Sequence, residues 1–550
     1  MCRSAIVFLL LALMMCNESF AVQYAYAVRF ADKTGTPYSI TSPGSFLSPR
    51  AISRRTSQGI AVDASDLPVN PAYVDSVRTL TGGKLHGTSR WLNLCVVLLT
   101  DSADIHTLDG KPFVTDTRFV GYYADSLHRP VRQDAIAAQK GTGSSVYYGN
   151  TWQQTALVHG DLLHDAGYTG NGKLIAVIDE GFTDVDTHPG FASMLSGGRV
   201  VDKYNFTLQT DFIYGYGWHG TRSLSTMAGY VPNTYVGTAP MASYALYISE
   251  DGNSEQIIEL YNMLMATERA DSVGADVVTS SLGYNTFDNA ADNFVFATDF
   301  DGKTTVATQA ANMATQKGML FVASAGNEGG GAWNMVLTPG DADSALTIGS
   351  VDYTGTMAPN SGYGPNAAGR VKPDVCAMGQ AAAVFIGPGY GGTSGTSFST
   401  PQIAGWAACL WQSLPTARPH DIRDVIIKCA DSYAAPGPQR GYGIPDVNCA
   451  HRRLLSITDS LQLFAPPMWL DVVTNPTTDL LTLIVAADTE QNIDFSIFDL
   501  SGRKVLTSSG FFNRGYNSPF TIDVTWLATG TYVLKAVSLT KQQVVKVVKM

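Results

Sequence analysis

Charge is scarce in this chain of 550 residues: Asp, Glu, Lys and Arg together make up 15%, and no basic block occurs anywhere. With 36 basic against 47 acidic side chains the net charge is −11, which argues against a nucleic-acid partner. Long apolar runs are also few. Beyond the first 21 residues there is no stretch of 18 apolar residues, so no membrane-spanning helix is expected. Cysteines at zinc-ligand spacing, a Gly-x-Ser-x-Gly elbow and the spacing of a calcium loop are missing as well. Their absence argues against a structural zinc site and an α/β-hydrolase esterase, and it leaves no calcium site evident.

What is present begins with a leader. Arg3 supplies a positive start, residues 5–15 an apolar centre and Ser19-Phe20-Ala21 a small-x-small cleavage site, so the mature chain is expected to begin near Val22. Leu13-Met14-Met15-Cys16 offers a lipobox-like alternative, in which the bulky Met15 fits badly beside the cut. Of the seven cysteines, Cys2 and Cys16 leave with the leader and Cys95 stands alone in the next segment. Cys376, Cys409, Cys429 and Cys449 form an even set that permits two disulfides of undetermined pairing; buried thiols are the other reading.

Residues 22–141 hold short strands at 24–30 and 92–99, broken by Pro and Gly. From 142 to 455 the texture changes to apolar strand runs at 174–178, 244–248, 277–281, 320–325 and 345–351, with helical segments at 254–273 and 307–317. Strands embedded between helices imply a parallel sheet with crossovers, hence an α/β domain. A linker at 456–470, containing Pro466-Pro467, leads to residues 471–550. There, runs at 480–485, 493–498, 521–524, 532–537 and 544–548, with turns at Ser501-Gly502 and Thr529-Gly530, predict a small β-sandwich.

Three segments of the α/β region carry chemistry. In Leu174-Ile175-Ala176-Val177-Ile178-Asp179 an apolar strand ends on a carboxylate, which puts Asp179 at the carboxyl edge of a buried sheet, where sites gather. Taken singly it reads as a turn cap. Trp218-His219-Gly220-Thr221 opens a helical stretch whose small residues leave His219 accessible as a general base. Gly392-Thr393-Ser394-Gly395-Thr396-Ser397 precedes another helix, with Ser397 on its first turn, where the dipole favours developing negative charge. A hydroxyl is a weak nucleophile until a base takes its proton, so Ser397 needs His219, and the imidazolium so formed needs Asp179. Separate structural roles for a cap, a surface histidine and an N-cap serine do not account for their joint occurrence.

The chain order Asp, His, Ser is that of subtilisin and not of chymotrypsin or the α/β-hydrolases. Over residues 150–455 the chain resembles the subtilisin-like (subtilase) family through Val177-Ile178-Asp179, His219-Gly220-Thr221, Gly237-Thr238-Ala239-Pro240 and Gly395-Thr396-Ser397-Phe398-Ser399-Thr400-Pro401. The resemblance implies a subtilisin-like parallel sheet flanked by helices, and a serine endopeptidase with Asp179, His219 and Ser397 as its triad. Ala323-Ser324-Ala325-Gly326-Asn327-Glu328-Gly329 is similar to the family's oxyanion segment and implies Asn327 as a donor to the oxyanion beside the Ser397 N–H. Ser280-Ser281-Leu282-Gly283 is similar to the edge that pairs with substrate backbone. The implied substrate contacts are Ser281, Leu282 and Gly283, with Ala325 and Gly326, and the implied specificity is broad. Leu337 to Pro339 falls where the family has part of the floor of its first specificity pocket. The departures are Glu180 after the Asp, Phe398 where Met is common and Ser399 in place of Ala; none is a proton carrier. Residues 284–305, with four Asp and four Phe, exceed what a minimal subtilase needs.

In this family an N-terminal propeptide commonly assists folding and blocks the cleft. Residues 22–141 are suitably placed as an α+β propeptide-like domain, with Lys140-Gly141-Thr142-Gly143-Ser144-Ser145 as a cleavable joint; a permanent accessory domain is the alternative. The last segment resembles the C-terminal sorting domain of the type IX secretion system. The resemblance rests on Asn475-Pro476-Thr477-Thr478-Asp479, Phe498-Asp499-Leu500-Ser501-Gly502-Arg503-Lys504-Val505, Leu527-Ala528-Thr529-Gly530-Thr531-Tyr532-Val533-Leu534 and Lys546-Val547-Val548-Lys549. It implies export from a gram-negative bacterium, removal of the tail, and release or attachment at the surface. A carbohydrate-binding or adhesive sandwich is the rival, and no aromatic row suits it. The implied partners are protein or peptide substrates and the type IX machinery, acting on a monomer. The acyl-transfer chemistry needs no cofactor, no metal ligand is assigned, and calcium is left open. A non-catalytic surface binding protein is the rival from another class, against which all four chemical positions stand intact.

Overall fold

A computed structural model of the chain describes residues 22–123, 146–461, 469–472, 475–487, 491–512, 515–516, 520–538 and 542–550. The leader and the 140–145 joint lie outside the described residues, as do residues 462–468 of the expected 456–470 linker, whose first residues continue the helix Val447–Leu461 and whose last begin the strand Trp469–Val472. The chain divides into two compact units, up to Leu454 and from Leu455 onward.

The first unit opens with a four-stranded antiparallel sheet in the order Lys84–Ser89, Leu94–Leu99, Gln23–Phe30, Val114–Tyr123, with helices Pro49–Gln58 and Pro71–Thr81. Every residue of Leu94–Leu99 is buried, and the two-residue period of a strand explains how. Cys95, Val97 and Leu99 face a core shared with Val74 and Val77 of the second helix. Leu94, Val96 and Leu98 face the opposite way, into a core shared with helices Ile257–Val273 and Val306–Gln316 of the α/β region. Both faces of this sheet are covered, so its strand reads as a continuous apolar run.

The α/β region is built on a seven-stranded sheet in the order Val375–Met378, Leu346–Val351, Leu320–Ser324, Val277–Ser280, Leu174–Asp179, Ser243–Ile248, Val200–Asn205, with every pairing parallel. The five strands expected from apolar runs form the sheet's contiguous interior, each buried on both faces, as parallel strands must be. The outer strand Val200–Asn205 mixes Val and Tyr with Asp, Lys and Asn and is mostly half-buried, which hides it from a search for apolar runs. Asp179, Ser280 and Ser324 end neighbouring strands, and the helices His219–Ala228 and Thr396–Ser413 begin at that same edge.

Among the described residues one disulfide, Cys429–Cys449, is formed; Cys376 and Cys409 are buried thiols. Of the two readings left open for the four cysteines, each holds for one pair: Cys376 is buried on the outer strand Val375–Met378 and Cys409 inside the Thr396–Ser413 helix, both as thiols.

The second unit contains two antiparallel sheets. Leu480–Ala487 pairs with Trp469–Val472 on one side and with Gly515–Tyr516 and Phe520–Asp523 on the other; Lys504–Phe512, Gln491–Phe498, Gly530–Val537 and Gln542–Lys549 follow one another in the second sheet. Alternate residues of each, such as Leu481, Leu483, Ile493, Phe495, Ile497 and Leu534, meet in one core, which makes this the expected β-sandwich. No described helix is long and apolar enough to cross a membrane.

Candidate active site

Asp179 is fully buried at its strand end, and its Oδ1 accepts hydrogen bonds from the Glu180 N–H at 2.8 Å and from Nδ1 of His219 at 2.6 Å. His219 is the first residue of its helix. The helix comes this close because Gly220 follows: a Cβ there would lie 2.5 Å from the Gly181 carbonyl oxygen and 3.0 Å from Cβ of Asp179. With Nδ1–H committed to the carboxylate, the neutral imidazole presents its Nε2 lone pair. Burial works against the charged form of His219, but the charge and hydrogen bond of Asp179 outweigh it and raise the imidazole above its ordinary range. The ring is 29% exposed and lies 5.7 Å from the Phe398 ring, between centroids.

Ser397 is the second residue of helix Thr396–Ser413 and is 5% exposed. Its carbonyl accepts hydrogen bonds from the hydroxyls of Ser281 at 2.8 Å and Ser223 at 3.5 Å, which ties it to the Val277–Ser280 strand end and to the His219 helix. Its own Oγ donates to the Ser281 carbonyl at 3.3 Å. No hydrogen bond joins it to His219 among the described residues. Such contacts are commonly long in a substrate-free site.

Asn327 follows strand Leu320–Ser324. Its side chain meets the backbone N–H of Thr396 at 2.9 Å and the Thr396 hydroxyl at 3.2 Å. A backbone N–H can only donate, so the atom facing it is Oδ1, and the amide Nδ2 is left as a donor on the other side. Asn327 thus sits against the residue that immediately precedes Ser397.

A cleft of about 580 Å³ runs beside these groups, lined by His219, Asn327, Ser281, Leu282, Gly283, Gly326 and Leu337, among others. Four of the five expected substrate contacts are here. Ala325 is not: it is fully buried, its N–H donates to the Ile348 carbonyl at 3.0 Å and its carbonyl accepts from the Leu337 N–H at 3.2 Å. Its backbone is spent extending the sheet, which removes it from substrate contact.

Sequence reasoning missed the opposite wall. Glu250 to Glu255, directly after strand Ser243–Ile248, line the cleft together with Glu180 and Asp288. A signal existed: Ile248 pairs in register with Asp179, so whatever follows it stands at the same edge. Burial pushes Glu250 up to about 8 and Glu255 up to about 7, with repulsion from neighbouring carboxylates adding to both. Burial raises Glu180 as well, against the pull of His219. Glu250, Glu255 and Glu259 have carboxylate oxygens within 4.8 Å of one another and are the described group that could share a cation. Glu259 is already engaged, accepting the backbone N–H groups of Asp251 and Gln256 at 3.1 Å each as a helix cap.

Comparison with known proteins accords with this geometry. Residues 170–444, half of the chain, match the subtilase family; residues 25–140 match the peptidase S8 propeptide domain of Bacteroidota, and residues 473–550 a secretion-system C-terminal sorting domain. Subtilisin NAT of Bacillus subtilis subsp. natto is 28% identical over 373 residues, covering 67% of this chain and 83% of its own. Subtilisin Savinase of Lederbergia lenta is 28% identical over 297 residues, and a subtilisin of Bacillus pumilus 30% over 292; each match covers 52% of this chain and 94% of the relative. A parallel sheet whose carboxyl edge gathers Asp179, His219 and Ser397 in subtilisin order, between a propeptide domain and a sorting domain, places this chain in the subtilase family of serine endopeptidases.

Proposed function

We propose that this subtilase hydrolyses peptide bonds through an acyl-enzyme in which Ser397 is the nucleophile, His219 the base, Asp179 its partner and Asn327 the oxyanion donor. The observation that carries this reading is the 2.6 Å hydrogen bond from His219 to a buried Asp179 at the same sheet edge as the start of the Ser397 helix. His219 Nε2 takes the Ser397 proton as Oγ attacks the carbonyl carbon. Asp179 stabilises the imidazolium formed, and His219 then returns the proton to the departing amine. The tetrahedral oxygen is met by the Ser397 N–H, unpaired at a helix start, and by Nδ2 of Asn327, held in place by Thr396. Water repeats the cycle on the acyl-enzyme. These steps use side chains and backbone alone, without a cofactor.

Substrate backbone has a place to pair: the N–H and C=O of Gly283 bond to no described residue, and extended peptides add to such an edge with little regard for sequence. We place the activation cut near residue 141 and removal of the tail near residue 470, with the enzyme released or held at the cell surface. Tyr122, next to the last described residue of the propeptide domain, exchanges backbone hydrogen bonds with the Gln256 side chain at 2.5 and 3.0 Å, which brings that part of the domain beside Glu255 of the cleft wall. The test is labelling of the secreted protein with a fluorophosphonate, wild type beside Ser397→Ala. An adduct on Ser397 alone is the expected result; a folded, processed chain that takes no label would overturn the reading.

A further inference from the structure

We propose that Leu337 closes the slot that receives the residue on the acyl side of the cut, so that this enzyme cleaves after small side chains. The inference rests on the catalytic reading above and deepens it from a broad endopeptidase to one with a defined primary preference.

In that reading the scissile carbonyl lies between Asn327 and the Ser397 N–H, and the preceding backbone runs along Ser281–Gly283. The side chain of the residue bearing that carbonyl must then enter the space between two segments, 281–283 and 324–327. Glycines at facing positions of these segments, Gly283 and Gly326, would ordinarily leave such a slot open. Here the Leu337 side chain fills it. A Cβ built on Gly283 would lie 2.9 Å from Cβ and 3.0 Å from Cδ1 of Leu337, and one on Gly326 would lie 2.5 Å from its Cγ and 2.8 Å from its Cδ1. Leu337 is therefore in contact with both walls, and it is 6% exposed.

The plug is fixed in place. The Leu337 N–H donates to the Ala325 carbonyl at 3.2 Å and the Val336 N–H to the Tyr363 carbonyl at 2.7 Å. The Tyr284 N–H donates to the Thr338 carbonyl at 3.0 Å, and the Thr338 side chain is bonded to Thr305 and Thr308. These bonds hold the main chain of Leu337 in place, and its side chain, 6% exposed and packed against both glycines, occupies the room that a ring or a long aliphatic chain would need. Interiors packed to this density resist even one added methylene. Gly, Ala and Ser fit what space is left.

The chain's own processing falls under the same rule. The activation cut should follow a small residue in or near Gly141-Thr142-Gly143-Ser144-Ser145 and not Lys140.

The secreted enzyme is incubated with a denatured protein mixture of known sequence, and mass spectrometry reads the residue before each cut and the mature N-terminus. Cuts after Ala, Gly and Ser outnumbering those after Phe, Tyr and Leu by at least about tenfold are expected, because a hydrophobic pocket discriminates by about 10- to 200-fold per methylene-sized misfit. In Leu337→Ala the ratio of kcat/KM for a Phe-bearing to an Ala-bearing peptide should rise by about that factor. Cutting after Phe and Tyr as readily as after Ala in the wild type overturns the slot alone, and does so whether or not the variant folds. An unchanged ratio in a folded Leu337→Ala overturns it as well. No cutting together with no fluorophosphonate adduct overturns the slot and the catalytic reading together.

Discussion

At the scale of single residues, two opposed effects meet on His219. Removal from water disfavours the imidazolium, and the Asp179 carboxylate at 2.6 Å favours it more, so the raised direction follows from the pair and not from the histidine. In the proposed mechanism His219 must be neutral to accept the Ser397 proton. Activity is therefore lost as pH falls through a pKa above the ordinary 6.5, and the acid limb of a kcat/KM profile should lie on the alkaline side of that value. Asp179→Asn removes the raising partner and the tautomer control together; kcat should drop by about 10⁴, as for the same change in other triads. Asn327→Ala should cost about 10² to 10³ in kcat with KM little altered, the magnitude being the one known for the corresponding donor of subtilisin itself.

At the scale of elements, helix Ile257–Val273 joins the propeptide domain to the protease domain. Asp271, with no exposed side-chain surface, receives Arg54 at 2.5 Å, Arg55 at 2.7 Å and Arg90 at 2.6 Å, all three from the propeptide domain. One turn earlier, Glu268 accepts the Ser89 hydroxyl at 2.5 Å and the backbone N–H groups of Arg90 and Trp91. Arg55 keeps Asp66 at 2.9 Å, but for Arg54 and Arg90 Asp271 is the carboxylate partner, and guanidinium groups left without one in a buried interface carry a severe cost. In the uncut Ser397→Ala chain, Asp271→Ala should lower stability by about 3–5 kcal/mol, read from urea unfolding followed in the propeptide domain. The Cys429–Cys449 bridge closes a loop of 20 residues between the helix Pro419–Lys428 and the helix Val447–Leu461. By loop-closure entropy it contributes about 3 kcal/mol, so reduction should lower the melting temperature of the protease domain in calorimetry.

At the scale of the whole molecule, three functions are divided among three domains in one chain. The propeptide sheet is covered on one face by its own helix and on the other by the protease domain, so the second face becomes solvated apolar surface if the domain is cut away. The sorting domain has its own core. Deletion of residues 473–550 should therefore leave fluorophosphonate labelling intact in cell lysate while abolishing it in the medium and at the cell surface, measured on fractions from the native host.

Much of this was legible in the residues themselves. Asp179, His219 and Ser397 each stand where a regular element starts or stops, and a buried parallel strand must be apolar on both faces, so Leu174–Asp179 and its neighbours announced both the sheet and its edge. Alternation in Ile493, Phe495 and Ile497 likewise disclosed the sandwich. The half-polar outer strand Val200–Asn205 did not show, because an edge strand needs no apolar run. The sequence by itself determined the reaction class and the domain order, because these depend on residue type and on local period. Only the tertiary structure decided that Ala325 is sealed in the sheet, that Cys429 finds Cys449, that Glu250 and Glu255 wall the cleft and that Leu337 fills its slot. Each of these depends on which distant segments are brought within a few ångströms, a matter of packing that no local pattern carries.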